Sequence, residues 1–237
     1  MKIKVYIHAM DLPTGKDILT NQVDLLEKTG LFDAANEIVV ACHFNSDNFK
    51  WLKDRWNKEN KVKYLDFYDS YRNWYEHTTI QEIQEDAHST QEDYYILYIP
   101  SKGISHPPGG HQNWRKYMEY WNIEKWKICV EKLDEGYEMS GASYLKDPNG
   151  GSTEFYAGNM YWAKASYIRR CKRLLTPPEA DFKPQFELQP HHRFDVESWH
   201  GSGKPKFFEM HPGPDRRWYE PPESYREDLK DMWVYRT

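Results

Sequence analysis

The stretch DYYILYIPSKG (residues 93–103) places an apolar, aromatic run directly before a Pro-Ser-Lys-Gly turn. A continuous apolar run of this length is typical of a strand buried on both faces, as in a parallel sheet. Before this stretch, predicted strands at 2–8, 37–43 and 61–67 alternate with predicted helices at 16–29, 48–59 and 76–88. This alternation predicts an α/β domain with a mostly parallel central sheet flanked by helices.

The second half of the chain continues the pattern and then changes composition. We predict one long helix over 111–134, strands at 137–145 and around 154–160, a helix over 163–175, a late strand at 204–210 and a short helix over 224–232. Thr78 and Thr79 are expected to open the helix over 76–88 as part of a capping box. Prolines become frequent after Leu175, which indicates loops that wrap over the domain. We therefore expect one domain over 1–211 and a packed C-terminal extension over 212–237.

Composition excludes several classes of protein. The 237 residues carry a net charge of −5 and have a mean hydropathy of −0.95, and no run of about 18 apolar residues predicts a membrane span. Aromatic residues make up 16% of the chain, which excludes a disordered protein and fits one that stacks on sugars or bases. Three dispersed cysteines without a CxxC pair argue against a disulfide scaffold or a thiolate zinc site and favour a reducing, cytoplasmic compartment.

Ligands of parallel sheets bind at the carboxyl ends of the strands. That rule selects His8, Ala9 and Met10 after the first strand, Asn45 after the second, and Ser101, Lys102 and Gly103 after the fourth. A lysine there suits a phosphate oxygen, or is simply a solvated turn residue. The chain contains no GxGxxG, GxxxxGK[ST] or GxSxG motif, which excludes dinucleotide dehydrogenases, P-loop enzymes and nucleophile-elbow hydrolases.

Two later stretches also carry candidate chemistry. In FYAGNMYWAKASYIRRC (155–171), Asn159 can donate and accept hydrogen bonds, Tyr161 and Trp162 offer flat faces for a sugar, and the following helix start could face an anion. In HHRFDVESWHGSG (191–203), Asp195 and Glu197 are candidate general bases, or a solvated acidic pair. The histidines of this region match no metal-site spacing, so no metal ligand is assigned; they are His191, His192, His200 and His211.

Six stretches, in this order, resemble a family of small glycosyltransferase-like proteins of bacteria, phages and large viruses. They are Ile7-His8-Ala9, EKTGLFDAANEI (27–38), Pro100-Ser101-Lys102-Gly103, WRKYMEYWNIEKW (114–126), AGNMYWAKASY (157–167) and FDVESW (194–199). The resemblance covers about residues 1–200 and implies a GT-A-like transferase that uses a nucleotide-sugar, such as a UDP-sugar. Pro100 replaces the histidine that usually opens the Lys-Gly motif, Ala157 replaces a serine, and Asp195 replaces a glutamate.

The resemblance implies a role for each candidate. Many GT-A enzymes hold a metal ion after the fourth strand, where this chain has Lys102, so we expect the lysine to take over part or all of that role; Mn²⁺ or Mg²⁺ stays open as a cofactor. Glu197 is the expected base, with Asp195 second. The nucleotide is expected near His8, Ala9, Met10, Asn45, Thr79, Ser101, Lys102 and Gly103, with His211 as a further contact, and the sugar or acceptor near Gly158, Asn159, Tyr161 and Trp162.

The acceptor stays open at this point. A hydroxyl on a surface glycan and a 5-hydroxymethylated pyrimidine in phage DNA both fit, the latter implying action in the bacterial host cytoplasm and a local basic groove. Two other classes also remain. A non-catalytic sugar- or nucleotide-binding module would not need Lys102 and Glu197 to converge, and a metal-dependent hydrolase would gather the four histidines around one ion.

Overall fold

The computed structural model describes residues 1–42, 47–66, 76–104, 110–146, 154–174, 196–211 and 220–226. Its strands are β1 (Ile3–His8), β2 (Glu37–Cys42), β3 (Val62–Asp66), β4 (Tyr95–Ile99), β5 (Met139–Gly141), β6 (Tyr144–Lys146), β7 (Glu154–Tyr156), β8 (Tyr161–Lys164) and β9 (Phe207–Glu209). Its helices are α1 (Gly15–Lys28), α2 (Leu31–Ala34), α3 (Asp47–Arg55), α4 (His77–Ser89), α5 (Gly110–Glu119), α6 (Trp126–Asp134), α7 (Ala165–Ile168) and α8 (Glu223–Arg226). Two short helices of other types occur, a π-helix (Tyr120–Glu124) and a 3₁₀-helix (Trp199–Gly201).

A seven-stranded sheet in the order β3-β2-β1-β4-β8-β5-β9 forms the centre of the molecule. Only β8 runs antiparallel to its two neighbours among these strands, so the predicted α/β class and mostly parallel sheet are confirmed. As a consequence, β1–β5 and β9 end at the edge where β8 begins. We call this edge the carboxyl edge. The strands β6 and β7 pair separately as a two-stranded sheet.

Apolar side chains of successive strand residues fill two cores, one on each face of the sheet. The first face packs under α1, α2, α3, α5, the π-helix and α6. The second packs under α4, α7 and the turn at 196–201. Because both faces of the sheet are covered, its central strands are apolar at almost every position, which is why β4 reads as a continuous apolar run.

Three predicted elements are corrected by the structure. The helix expected over 111–134 is divided by the π-helix, where the Lys125 N–H donates to the Tyr120 carbonyl. The Asn122 carbonyl within that segment accepts a hydrogen bond from the Trp162 indole at 2.9 Å, so a tertiary contact uses a group that an α-helix would bond internally.

The helix expected over 163–175 is confined to α7, because its first residues belong to β8 instead. The α4 helix begins at His77 and not at the threonines, and no side chain caps its N-terminus. The late strand predicted at 204–210 is confirmed as β9. The Pro-rich stretch after Leu174 lies largely outside the described residues.

Candidate functional site

Lys102 and Glu197 meet at the carboxyl edge. Lys102 lies three residues beyond β4, and Glu197 lies in the helical turn that opens the 196–201 segment. The Lys102 Nζ is 3.6 Å from the Glu197 Oε1, and the two side chains are only 13% and 16% exposed. An ion pair at this depth is screened by solvent far less than one at the surface. The sequence-predicted cation and base are therefore brought into one site.

The indole of Trp114 lies beneath the lysine. The Lys102 Nζ is 4.0 Å from the centre of this ring, close enough for a cation–π interaction. The neighbouring Arg115 guanidinium reaches the Lys102 carbonyl at 3.5 Å and pairs with Glu119 at 3.2 Å one turn along α5. The helix α5 thus holds both the backbone and the side chain of Lys102.

The backbone of Gly158 contacts the same Glu197 oxygen as Lys102 does. Its backbone N–H donates to the Glu197 Oε1 at 2.9 Å. The residue has a φ of +86°, and a Cβ added there would lie 2.5 Å from the Met118 Sδ. Two features therefore favour glycine at this position: the left-handed backbone, and the close approach of Met118 from α5.

Glu76, which the sequence analysis did not select, is the third charged residue of the site. Its Oε2 accepts hydrogen bonds from the Asn159 Nδ2 and, at 3.0 Å, from the Tyr98 hydroxyl. Burial, followed by the charge of Glu197, raises the pKa of Glu76 to about 7, against the hydrogen bonds and the charge of Lys102, which lower it. A signal existed in the sequence: Glu76 directly precedes the helix that follows the third strand, and helices that follow parallel strands begin at the carboxyl edge.

Asn159 connects Glu76 to the turn that precedes β8. The residue adopts a φ of +60° and is 1% exposed. While its Nδ2 donates to Glu76, its buried Oδ1 accepts no hydrogen bond from any described residue. A buried acceptor in that condition is costly, so a donor on a bound molecule would be favoured there.

The residues predicted to bind the nucleotide divide into two groups. Ser101 is buried; its hydroxyl donates to the His8 carbonyl and accepts from the Met10 N–H at 3.2 Å, so it joins the ends of β1 and β4. Gly103 forms the tight turn beyond Lys102, with a φ of +84°. Met10 is partly exposed beside them, whereas Asn45 lies outside the described residues.

His8 and Thr79 contact each other instead of solvent. The His8 Nδ1 and the Thr79 Oγ1 are 2.8 Å apart, and the two residues are 1% and 0% exposed. Burial lowers the pKa of His8 to about 3, so the ring is neutral at pH 7. Ala9 is buried as well, with its N–H bonded to the Ala41 carbonyl. The expectation that these three side chains face a nucleotide is corrected, because protein covers them.

Tyr161 and Trp162 do not form an exposed wall for a sugar. Both are 0% exposed, since they belong to β8 at the centre of the sheet and point into opposite cores. The start of α7 presents no site for an anion either. The Ala165 N–H donates to the Tyr94 carbonyl and the Ser166 N–H to the Asp93 carboxylate. The missed strand β8 is the physical reason for both corrections.

The two candidate histidines that the structure describes, His200 and His211, serve different parts of the core. His200 is fully buried, stacks on Tyr161 and accepts the Tyr156 N–H at its Nε2. His211, beyond β9, stacks on Trp121 and bonds the Tyr117 hydroxyl through its Nδ1 at 2.8 Å. His191, His192 and Asp195 lie outside the described residues. His200 therefore serves the core and not a ligand.

A divalent metal ion does not fit the place after β4. The Ser101 hydroxyl is engaged by β1, and the ammonium of Lys102 repels a cation. Across the described ranges, no group of three His, Cys, Asp or Glu side chains comes together to hold a metal. No helix in the same ranges has the length and apolar character needed to cross a membrane.

Comparison with known proteins gives one family and several solved structures of low similarity. No curated protein matches the sequence. Among solved structures, HddC from Yersinia pseudotuberculosis has 16% identity and a TM-score of 0.40 over 77% of this chain and 86% of its own. TarS 1–349 from S. aureus has 13% identity and a TM-score of 0.41 over 71% of this chain and 48% of its own.

The 4-diphosphocytidyl-2C-methyl-D-erythritol synthase of Anaerococcus prevotii has 10% identity and a TM-score of 0.36, over 71% of this chain and 73% of its own. Sequence comparison reaches further, because a family model matches residues 4–218. This range includes every strand except the first residue of β1, and every described residue of the site. The chain belongs to this family, DUF8361, which is defined as a domain of unknown function.

Proposed function

We propose that the protein is a glycosyltransferase that moves a sugar from a nucleoside-diphosphate sugar, such as a UDP-sugar, to an acceptor hydroxyl. The observation that carries the proposal is the 3.6 Å approach of Lys102 and Glu197 at the carboxyl edge. A cation and a carboxylate at one point are the two groups that this transfer needs. A non-catalytic binding module has no need to bring them together.

Lys102 would neutralise the leaving group. When the bond from the anomeric carbon to the diphosphate breaks, its electron pair goes to the phosphate oxygen, which becomes more negative. An ammonium aimed at that oxygen stabilises the transition state, and the partly buried position strengthens the effect. Lys102 would therefore supply at this place the positive charge for which other enzymes use a metal ion.

Glu197 would accept the acceptor's proton. The acceptor hydroxyl transfers its proton to the carboxylate while its oxygen forms the new bond to the anomeric carbon. The Gly158 N–H fixes the Oε1, and Trp114 forms an apolar floor beside it. Asp195 stays a second candidate by resemblance. Asn159, with its buried Oδ1, would accept a hydrogen bond from a sugar hydroxyl, and Gly158 would shape the same wall.

The acceptor is proposed only as a class. A surface-glycan hydroxyl and a 5-hydroxymethylated pyrimidine of phage DNA both present a primary or secondary alcohol to Glu197. DNA as acceptor predicts a rate that falls steeply with salt, because phosphate contacts release counterions. A glycan acceptor predicts a rate that is nearly independent of salt. We propose a cytoplasmic location, where activated sugars are available.

The test has two stages. Thermal-shift measurements with a panel of nucleoside-diphosphate sugars select the donor, and the Lys102→Met variant should lose that shift, whereas Lys16→Met, on α1, should keep it. Turnover is then measured with glycan and with hydroxymethylated-DNA acceptors, with and without EDTA. Release of nucleoside diphosphate with EDTA present supports the proposal. Loss of turnover in EDTA that Mn²⁺ restores would reject the role of Lys102 as a substitute for metal.

Product analysis separates the proposal from nucleotidyl transfer. A glycosyltransferase releases a nucleoside diphosphate from the donor and links the sugar to the acceptor. If the protein instead condenses a nucleoside triphosphate with a sugar phosphate and releases pyrophosphate, the proposal is wrong. A donor that binds but is never consumed with any acceptor of either class would favour the non-catalytic binding module.

A further inference from the structure

Glu76, Glu197 and Lys102 form a three-charge cluster that contains one cation for two carboxylates. The single ammonium pairs with the Glu197 Oε1, and its charge also acts on Glu76. Among the described residues, the other groups that face Glu76 are the hydroxyl of Tyr98 from β4 and the amide of Asn159 from the turn before β8. Tyr161 of β8 is near enough for the charge of Glu76 to raise its pKa, and its hydroxyl is neutral. None of these supplies a second positive charge.

The proposed function requires the cation to change partner. A diphosphate that enters the site attracts Lys102, because it carries more negative charge than Glu197 and presents several oxygens. Glu197 then keeps the hydrogen bond from Gly158 but loses its counterion. Two ionised carboxylates that repel each other without a cation are unfavourable in a partly buried site, where one of the two is expected to bind a proton.

We propose that Glu76 is a positioning residue, resting on the proposed function, which takes up one proton when Lys102 leaves Glu197 for the donor's diphosphate. Glu76 is the carboxylate suited to hold the proton, since no ammonium of a described residue contacts it even in the free protein, whereas Glu197 keeps the hydrogen bond from the Gly158 N–H. Glu197 then stays ionised and is ready for the acceptor's proton. Donor binding and preparation of the base become one event, and the acceptor is not deprotonated before the donor arrives.

Asn159 provides an independent sign that this place binds a molecule. Its Nδ2 is used by Glu76, while its Oδ1 is buried and has no donor among the described residues. The turn that holds it has left-handed backbone at both Gly158 and Asn159. A ligand hydroxyl at the Oδ1 would lie next to Glu76, so the cluster and the ligand would share one wall.

The experiment follows the Glu76 carboxyl directly by ¹³C NMR in the full chain labelled at the glutamate side chains. The Glu76 signal is assigned by its loss in Glu76→Gln, which is necessary because burial also raises the pKa of Glu119 to about 7. Inorganic pyrophosphate is the probe. Glu138, which pairs with Arg170 beyond the opposite end of β5, serves as the internal reference.

The expected result is a titration midpoint of Glu76 near pH 7 in the free protein that rises by about one unit or more with saturating pyrophosphate. The Glu138 midpoint should not move. In Lys102→Met the Glu76 midpoint should already be raised without pyrophosphate and should rise no further, and Lys102→Arg should restore the response. In Glu197→Gln the midpoint should be lowered, because the neighbouring charge is gone.

A Glu76 midpoint that saturating pyrophosphate leaves in place would overturn the inference, as would a midpoint unchanged in Lys102→Met, or the absence of pyrophosphate binding. Failure of the proposed function is a separate outcome. A protein that turns over no nucleotide-sugar but shows the shift retains the proton uptake and loses the glycosyl transfer. A protein that transfers sugar but whose Glu76 midpoint does not move with pyrophosphate retains the glycosyl transfer and loses the proton uptake.

Discussion

At the scale of single residues, the site depends on which side chains have alternative partners. Lys102 contacts Glu197 and Trp114, and in the proposed mechanism it exchanges the first for a phosphate and keeps the second. Ser101 and Thr79 have no such freedom, because their hydroxyls are bonded inside the protein. The Ser101 hydroxyl bonds the His8 carbonyl and the Met10 N–H, and the Thr79 hydroxyl bonds the His8 Nδ1. Proximity to the carboxyl edge is therefore not sufficient for a functional role.

The proposed base is tested by Glu197→Gln. The amide keeps the size of the side chain but cannot accept the acceptor's proton, so kcat should fall by about 10²–10⁴ while donor binding stays nearly intact. Steady-state kinetics and donor titration measure the two effects. Glu138→Gln, which removes an ion pair with Arg170 at a distance from the site, is the matched control and should keep the wild-type rate. A near-normal rate in Glu197→Gln would show that another group takes the proton.

Glu76 should make donor affinity depend on pH. If binding requires proton uptake and the pKa of Glu76 is about 7, affinity is highest below pH 7 and falls above it by up to about tenfold per unit. A nucleoside-diphosphate sugar suits the measurement, since its phosphodiesters do not titrate there. Glu76→Gln should give a flat profile over the same range. A purely structural role would instead weaken binding by the same factor at every pH.

At the scale of elements, the site depends on one strand that runs against its neighbours. Because β8 is antiparallel, its first residues lie at the carboxyl edge, and the turn before it brings Gly158 and Asn159 next to Lys102. The helix α5 supplies Trp114 from the first face, and Glu76 directly precedes α4 on the second. The site therefore lies where both helical layers reach the same edge.

Gly158→Ala tests the packing of this turn against α5. The left-handed backbone alone should cost about 1–2 kcal/mol of stability, and the clash with Met118 should add about 1–3 kcal/mol. Gly136→Ala is the matched control. That glycine also has a positive φ, but a Cβ there would meet nothing within 4 Å, so only the first cost applies. Urea unfolding measures both, and equal losses in the two variants would contradict the packing role.

At the scale of the whole molecule, two buried histidines connect the fold to pH. Burial lowers the pKa of His8 and of His200 to about 3, whereas the unfolded chain binds these protons near pH 6.5. Between these pH values the unfolded state binds more protons than the folded state. The free energy of unfolding is therefore highest above about pH 6.5 and decreases as the pH falls toward 3.

The free energy of unfolding should therefore fall by about 1.4 kcal/mol per pH unit for each histidine between about pH 6 and 4. Urea titrations at several pH values give the slope. His200→Gln should reduce this slope by about 1.4 kcal/mol per pH unit, the contribution of one histidine, although the protein will be less stable at every pH. An identical slope in His200→Gln would show that His200 is charged in the folded protein.

The C-terminal region bears on the proposed division into a domain over 1–211 and an extension over 212–237. Tyr225 of α8 is 0% exposed and contacts Tyr117 and Tyr120 edge-on and tilted, respectively. Tyr117 in turn bonds His211. These contacts support the proposal that the extension packs on the layer formed by α5 and the π-helix.

The amino-acid sequence alone specified the α/β class, the first four strands and the position of Lys102 after the fourth, because local hydrophobic patterns specify buried strands and parallel strands end at one edge. The expectation that Glu197 lies beside that lysine came from the family resemblance. Only the tertiary structure decided that β8 is a central strand, which buries Tyr161 and Trp162, and that Glu76 joins the site. Both depend on partners distant in sequence: β8 is stabilised by β4 and β5, and Glu76 is recognised by Tyr98 and Asn159. Periodicity along a chain does not encode such pairings.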